Sequence, residues 1–225
     1  MSNERAETAV RNRSGVATVI VAGGAGTRFG ERKQFASLGG RNVLDHSLQT
    51  ALSVSEAVVV VVPKDAIDQL DLTSNEISIV AGGATRADSV RAGLDAIPDT
   101  APFVLVHDAA RPLADVALFD RVISALRAGH DAVTPVTPVA DSLRHVDGHA
   151  VDRSTLVAVQ TPQGFASELL RAAHASGAEA TDDATLVEGL GHQITVVDGD
   201  PVNRKLTVAA DLIAAEAILH HRSQE

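Results

Sequence analysis

Arg28, Lys33, Arg86, Arg111, Arg153 and Lys205 are the cations nearest to glycine turns or to the ends of apolar runs, and Asp108 stands among them beside Arg111. Arginine offers a planar, permanently charged fork that matches phosphate oxygens, and lysine a compact point charge. Arg28 closes the stretch Val19-Ile20-Val21-Ala22-Gly23-Gly24-Ala25-Gly26-Thr27-Arg28-Phe29-Gly30. There a β-branched run suited to a buried strand passes into glycines that let the backbone turn sharply and approach a ligand. Successive backbone N–H groups at such a turn form an anion-binding hollow. The chemistry implied is phosphate binding. The whole chain carries a formal net charge of −10, so a cationic pocket would lie in an anionic body, an arrangement that suits an anionic ligand. Taken singly, each cation also reads as solvated surface charge. Asp108 with Arg111 reads as a local ion pair, and the loop as an ordinary glycine-rich strand-to-helix turn.

Known phosphate loops narrow the choice. A dinucleotide fingerprint requires G-x-G-x-x-G, and here Phe29 stands where the third glycine belongs. The G-x-x-x-x-G-K-[ST] pattern is absent, because no Gly-Lys pair occurs in the chain. His107, His46 and His220-His221 show no metal-ligand spacing. Asp182 and Asp183 read as acids favouring a helix N-terminus.

The elements that must carry these residues alternate in type. After the strand ending at Val21, Leu44, Leu48 and Leu52 mark one face of a helix over Asn42–Ser53. Val58–Val62 is a buried strand stopped by Pro63, Lys64–Leu70 a short helix, and Ile77–Val80 a strand leading to Gly82-Gly83. Thr85 caps the next helix, with Val90, Leu94 and Ile97 on its buried face. Phe103–Val106 is a strand ending at His107-Asp108-Ala109-Ala110-Arg111-Pro112. A helix containing Phe119, Val122, Ile123 and Leu126 leads to a strand at Ala132–Val136. The segment 139–160 breaks the rhythm: Asp147-Gly148 between Leu143–Val146 and Ala150–Val151 signals a hairpin standing out from the sheet. A helix over Ser167–Ala175, another opened by Thr181-Asp182-Asp183, a strand at Ile194–Val197 and a closing helix with Val208, Leu212, Ala215 and Leu219 on its buried stripe complete the chain. Such alternation implies a three-layer α/β fold with parallel strands and right-handed crossovers. Ligands in such sheets bind beyond the carboxyl ends of the strands, which brings the loops after Val21, Val80 and Val106 to one edge.

Composition sets the outer bounds. The 225 residues suffice for one domain, placed at 16–221, with residues 1–15 a disordered polar tail lacking the apolar core of a secretory signal. No apolar run approaches the roughly 18 residues of a membrane span, so a soluble protein is expected. The absence of cysteine excludes disulfides and thiolate metal sites and permits a cytoplasmic setting. Acidity and the lack of Trp and Tyr speak against nucleic-acid binding.

From about residue 16 to about 219 the chain resembles the methylerythritol phosphate cytidylyltransferases. The resemblance is carried by Ala22–Arg28, Lys33-Gln34-Phe35, Leu44-Asp45-His46-Ser47, Gly82-Gly83 with Arg86-Ala87-Asp88-Ser89-Val90, Val106–Pro112, Val151-Asp152-Arg153, Gln160–Gln163, Thr181-Asp182-Asp183-Ala184 and Asn203–Thr207. It implies a Rossmann-like, glycosyltransferase-A-like nucleotidyltransferase with a mixed, mostly parallel sheet and a protruding β-hairpin dimerisation arm. The implied reaction belongs to the non-mevalonate isoprenoid pathway. The phosphate of 2-C-methyl-D-erythritol 4-phosphate attacks the α-phosphorus of CTP in line and releases pyrophosphate, with Mg²⁺ or another divalent cation held mainly by the triphosphate and by Asp108.

By position in these motifs, Arg28 and Lys33 are implied as triphosphate and transition-state ligands. Ala22, Gly23, Gly24, Gly26, Gly83, Arg86, Ser89 and Asp108 fall around the nucleotide, and Arg111, Ser142, Arg153, Thr181 and Lys205 around the acceptor. Ser142 stands where threonine is usual. The arm is implied to cross to a second subunit of a homodimer, so that Arg153 serves the neighbour's site. Gly23 replaces a usual alanine, Arg32 a usual proline, and Val202 a common polar residue. The short Gly30–Lys33 connection and Arg32 bear on where Lys33 lies. With the chain ending soon after the closing helix, the cyclase domain fused to some relatives is not expected here. The competing readings are a ribitol-5-phosphate cytidylyltransferase, an NAD(P)-dependent oxidoreductase resting on Gly24-x-Gly26, and a non-catalytic nucleotide sensor.

Overall fold

Two valine-rich runs, Val16–Val21 (β1) and Ala57–Val62 (β4), lie side by side in parallel at the middle of the sheet, each with nearly every residue buried. The computed structural model describes residues 13–23, 32–70, 72 and 74–224. Of the expected tail, residues 1–12 lie outside the described residues. Arg13 is already tied to the body, its Nε donating to Ser55 O at 2.9 Å and its Nη2 lying 2.8 Å from Glu76.

Between β1 and β4 come a small ladder of Ser37–Leu38 (β2) with Arg41–Asn42 (β3) and the helix Val43–Val54 (α1). Ile77–Ala81 (β5) then pairs with β4 and leads to Arg86–Asp95 (α2), while Phe103–Asp108 (β6) pairs with the other side of β1. Val116–Arg127 (α3) and Ala132–Pro138 (β7) follow, then the arm with Leu143–Arg144 (β8) and Ala150–Val151 (β9). Val157–Val159 (β10), Gln163–Ala166 (β11), Ser167–Ala175 (α4), Asp183–Glu188 (α5), Thr195–Asp198 (β12) and Ala209–Arg222 (α6) complete the order.

The sheet runs β10-β7-β11-β6-β1-β4-β5, with β12 also on β7. Pairs β1–β4, β1–β6, β4–β5 and β7–β12 are parallel, whereas β11 and β10 run antiparallel to their neighbours. Alternate side chains serve opposite faces. Val19, Val61 and Val106 meet Val90 and Leu94 of α2 and Leu170 of α4. Ile20, Val58 and Val60 meet Leu44 and Leu48 of α1, while Leu105 packs with Phe119 and Val122 of α3. These apolar faces make the three layers, and burial on both sides explains the continuous valine runs.

Four local features depart from the sequence expectation. First, β6 extends to Asp108, so His107 and Asp108 are strand residues rather than loop residues. Second, Gln163–Ala166 forms a strand between β6 and β7. Its four residues carry no β-branched run, and both neighbours supply the pairing that the local sequence does not advertise. Third, Val157–Val159 pairs with β7. Fourth, Val208 is 46% exposed and outside the stripe of α6. Its N–H donates to Asp211 Oδ2 at 2.9 Å as part of the helix start, and Leu212, Ala215, Ile218 and Leu219 pack instead on Leu38, Val43 and Leu113.

The hairpin turns at Gly148, whose φ of 96° suits glycine, and protrudes with Val146 fully exposed. Leu156, Val157 and Val159 behind it are also exposed. Among the described residues no helix is long and apolar enough to cross a membrane.

Candidate functional site

The carboxyl ends of β1, β5 and β6 open on one cavity of about 350 Å³, bounded by Val21, Gly23, Gly83, Ala84, Thr85, Arg86, Ser89, Asp108, Ala110, Lys33 and Lys205. The turn after β5 is held tightly. Thr85 caps α2 by accepting Asp88 N–H at 3.0 Å, and Asp88 Oδ2 accepts Thr85 N–H at 3.1 Å, a reciprocal capping box. Ser89 donates to Thr85 O at 2.9 Å. Gly83 lies so close to the first turn of α2 that a Cβ there would sit 2.2 Å from Asp88 Cβ. Glycine is required by that approach, and main-chain groups are left facing the cavity.

Asp108 lies at the centre. Its Oδ2 accepts from Lys205 Nζ at 2.6 Å and its Oδ1 from Arg86 Nε at 3.3 Å. Burial acts to raise its pKa, but the charges of Arg86 and Lys205 outweigh burial and hold the carboxyl well below its usual range. Arg86 also donates through Nη1 to Asp183 Oδ2 at 2.8 Å. Burial works against its charge, and Asp183 and Asp108 more than compensate, raising its pKa.

Lys205 reaches this point because its segment is sewn to the β6 loop. Leu206 N–H donates to Ala110 O at 2.7 Å, and Asn203 Nδ2 donates to Thr161 O at 2.9 Å and Gln160 Oε1 at 3.2 Å. Lys33, on a short 3₁₀ turn over Lys33–Phe35, donates through Nζ to Leu206 O at 2.9 Å. Arg32 turns elsewhere, its Nη2 lying 2.5 Å from Asp65 Oδ2.

The structure therefore gathers Lys33, Gly23, Gly83, Arg86, Ser89, Asp108 and Lys205 of the expected set around one cavity. Ala22 adjoins it as a buried residue whose N–H donates to Val61 O at 2.8 Å. Gly24, Gly26 and Arg28 lie outside the described residues. Ser142, Arg153 and Thr181 are not in the cavity lining. Ser142 and Arg153 belong to the arm, where the Arg153 guanidinium donates to Ala140 O. Among the described residues the Arg111 guanidinium forms no ion pair with Asp108's carboxylate, contrary to the local ion-pair alternative. It donates to Asn203 O at 2.9 Å and Val159 O at 3.1 Å, and burial lowers its pKa.

Sequence reasoning missed several supports. Asp182 does cap α5, accepting Thr185 N–H at 3.0 Å, but Asp183 turns inward to Arg86. One acid suffices for a cap, so a second acid directly after it was an available signal. Gln163, Asn203 and Thr161 gave none, because lone amides and hydroxyls have no periodicity.

Among the described residues Asp108 is the one carboxylate in the lining, and no cluster of three or more His, Asp or Glu could hold a metal ion. That donor set does not build a protein cage. It fits a divalent ion that keeps waters and phosphate oxygens and takes at most one carboxylate from the protein.

Residues 16–221 match the family model described as 2-C-methyl-D-erythritol 4-phosphate cytidylyltransferase. Over 224 residues the chain is 44% identical to the enzyme of that description from Nocardia farcinica, covering 94% of this chain and 97% of that protein. It is similar to the crystal structure of 2-C-methyl-D-erythritol 4-phosphate cytidylyltransferase from Thermus thermophilus, with TM-score 0.79 and 37% identity over 90% of this chain and 98% of that one. The structure of 4-diphosphocytidyl-2C-methyl-D-erythritol synthase from Anaerococcus prevotii gives TM-score 0.79 and 31% identity over 91% and 98%.

Proposed function

The chain belongs to the 2-C-methyl-D-erythritol 4-phosphate cytidylyltransferase family, and on that premise we propose how its residues divide the work. The enzyme transfers CMP from CTP to 2-C-methyl-D-erythritol 4-phosphate in isoprenoid precursor synthesis, with pyrophosphate as the other product. A phosphate oxygen of the acceptor attacks the α-phosphorus, and the bond to the bridging oxygen of pyrophosphate breaks on the opposite side. Reactions of this type depend on alignment and charge neutralisation more than on covalent help.

The observation that carries the assignment of roles is Asp108, held between Arg86 and Lys205 at the mouth of β6. We assign the wall of Gly23, Gly83 and Ser89 to the nucleotide, because small residues expose main-chain donors and acceptors that can read a base edge. Ala22, Gly24 and Gly26 continue that wall in sequence. Lys33 and Arg28 serve the triphosphate and the charge that develops on pyrophosphate. Lys205 faces the acceptor phosphate, joined in a dimer by Arg153, Ser142 and Thr181. Arg86 spends two of its N–H groups on carboxylates, which supports a role in fixing Asp108 rather than in gripping phosphate. Asp108 is the carboxylate that would help hold a divalent cation such as Mg²⁺, which when bound with CTP would neutralise charge on the triphosphate. The exposed apolar residues Val146, Leu156, Val157 and Val159 support a homodimer built through the arm.

The test is pyrophosphate release with CTP, UTP or ATP against 2-C-methyl-D-erythritol 4-phosphate or ribitol 5-phosphate, with and without Mg²⁺. Turnover is expected for CTP with the methylerythritol acceptor and Mg²⁺. Equal turnover of all three nucleotides would contradict the nucleotide wall, and preference for ribitol phosphate would contradict the acceptor assignment.

A further inference from the structure

The charges facing the cavity are held from behind by groups that do not reach it. Asp183 follows the α5 cap and is 1% exposed at its side chain. Its N–H and that of Ala184 donate to Gln163 Oε1 at 3.2 and 3.3 Å, which fixes the carboxylate's approach. Oδ1 accepts from His174 Nε2 at 3.0 Å, and Oδ2 accepts from Arg86 Nη1 at 2.8 Å. His174 is 3% exposed, and neither it nor Asp183 lines the cavity. A carboxylate so fully desolvated is costly even when paired, and an apolar pair of similar size would serve folding as well. The helix start is already satisfied by Asp182, so capping does not explain Asp183.

What Asp183 does is compete for Arg86. The guanidinium lies 2.8 Å from Asp183 and only 3.3 Å from Asp108. Without the nearer acid, the fork could engage both oxygens of Asp108 in the bidentate geometry that arginine favours. That arrangement would displace Lys205 from its 2.6 Å contact. We propose that Asp183, steadied by His174, is a positioning residue for the transfer reaction. It draws Arg86 aside so that Asp108 keeps one oxygen for Lys205, and the Lys205 ammonium is thereby presented to the acceptor phosphate. The inference rests on the assignment of Lys205 to the acceptor.

The test is the Michaelis constant for each substrate in Asp183→Asn, His174→Leu, His174→Gln and Lys205→Ala. Asp183→Asn keeps the shape and removes the charge. The acceptor KM is expected to rise about tenfold, the scale of one charge-assisted hydrogen bond, while the KM for CTP changes less than about threefold. Loss of folded protein lowers kcat and moves neither KM. His174→Leu shifts the acceptor KM in the same direction by a smaller factor. His174→Gln restores it, because the amide nitrogen can donate where Nε2 did. In the Lys205→Ala background, Asp183→Asn adds nothing further, since both act on the same contact. If Asp183→Asn does not accumulate, the His174 pair carries the same comparison. An acceptor KM raised by Lys205→Ala but unmoved by Asp183→Asn and His174→Leu overturns the positioning role alone. An acceptor KM unmoved by Lys205→Ala overturns the assignment beneath it.

Discussion

Replacing Gly83 by alanine tests whether the nucleotide wall is as tight as the geometry requires. The new Cβ would stand 2.2 Å from Asp88 Cβ, 3.1 Å from its Cγ and 3.3 Å from its carbonyl carbon. Asp88 cannot rotate away from a contact made by its own Cβ, so the turn and the first turn of α2 must separate. That movement pulls on the reciprocal Thr85–Asp88 hydrogen bonds of 3.0 and 3.1 Å. Overpacking of this kind costs about 1–3 kcal/mol, and a lost N-cap about 1 kcal/mol. Together, at about 2–4 °C per kcal/mol for a protein of this size, the melting temperature should fall by roughly 4–16 °C. Because Gly83, Ala84 and Thr85 all border the cavity, kcat/KM for CTP should also fall by about 10- to 100-fold, the scale of a displacement near 1 Å. Thermal melts and coupled pyrophosphate release measure the two effects. Thr85→Ala is the control, because it weakens the cap without forcing the turn outward, with an expected loss of about 1 kcal/mol. A Gly83→Ala protein with wild-type melting temperature and CTP kinetics would refute the close approach.

Two further outcomes follow from other parts of the structure. Arg111 O can only accept, so His107 Nε2 donates to it at 3.3 Å and Nδ1 accepts from Thr161 Oγ1 at 3.1 Å, the same hydroxyl accepting Asp108 N–H at 3.0 Å; burial pushes the pKa of this neutral ring down to about 4. Its contribution is present above the unfolded pKa of about 6.5 and is lost as pH falls toward 4, so stability should drop by about 2 kcal/mol between pH 6.5 and 5 and by clearly less in His107→Asn, as read by urea midpoints. For the arm, Arg28→Ala should lower kcat by about 10²–10³, and co-expressing it with Arg153→Ala should restore activity in heterodimers, one of whose two sites is intact. Heterodimers as inactive as both parents would remove the shared site.

What could be read in the sequence and what could not divide along a physical line. β1, β4 and β6 are six-residue strands built on apolar, valine-rich runs whose pattern needs no partner to be recognised, and the residues at their carboxyl ends, Gly23 and Asp108, inherit their location from the strand rule. Gln163–Ala166 has no such pattern; it is a strand because β6 and β7 leave unpaired backbone on either side of it. The same distinction holds within the site. Lys205 and Asp108 are legible as charged residues at junctions, whereas their contact joins positions 97 apart in the chain. Asp183 is legible as an acid at a helix start and illegible as the partner of Arg86, because its direction is set by Gln163 and His174 from two other elements.

Arg111 extends that argument to the arm. Its motif position suggests a hand on the acceptor, but its guanidinium joins Val159 O, at the root of the arm, to Asn203 O, two residues before Lys205. Its own N–H donates to Asp108 O at 2.9 Å, so the strut is anchored on β6. Three segments, at Asp108, Val159 and Asn203, are thus pinned by one half-buried cation using carbonyl groups alone. Carbonyl partners hold it in place without neutralising it, and its charge stays close enough to lower the pKa of Asp108. If the arm is gripped by a second subunit, the force on Val159 is borne at the point that also fixes Asn203 and hence the approach of Lys205. Dimerisation through the arm would then steady the acceptor cation of one subunit while delivering Arg153 to the other.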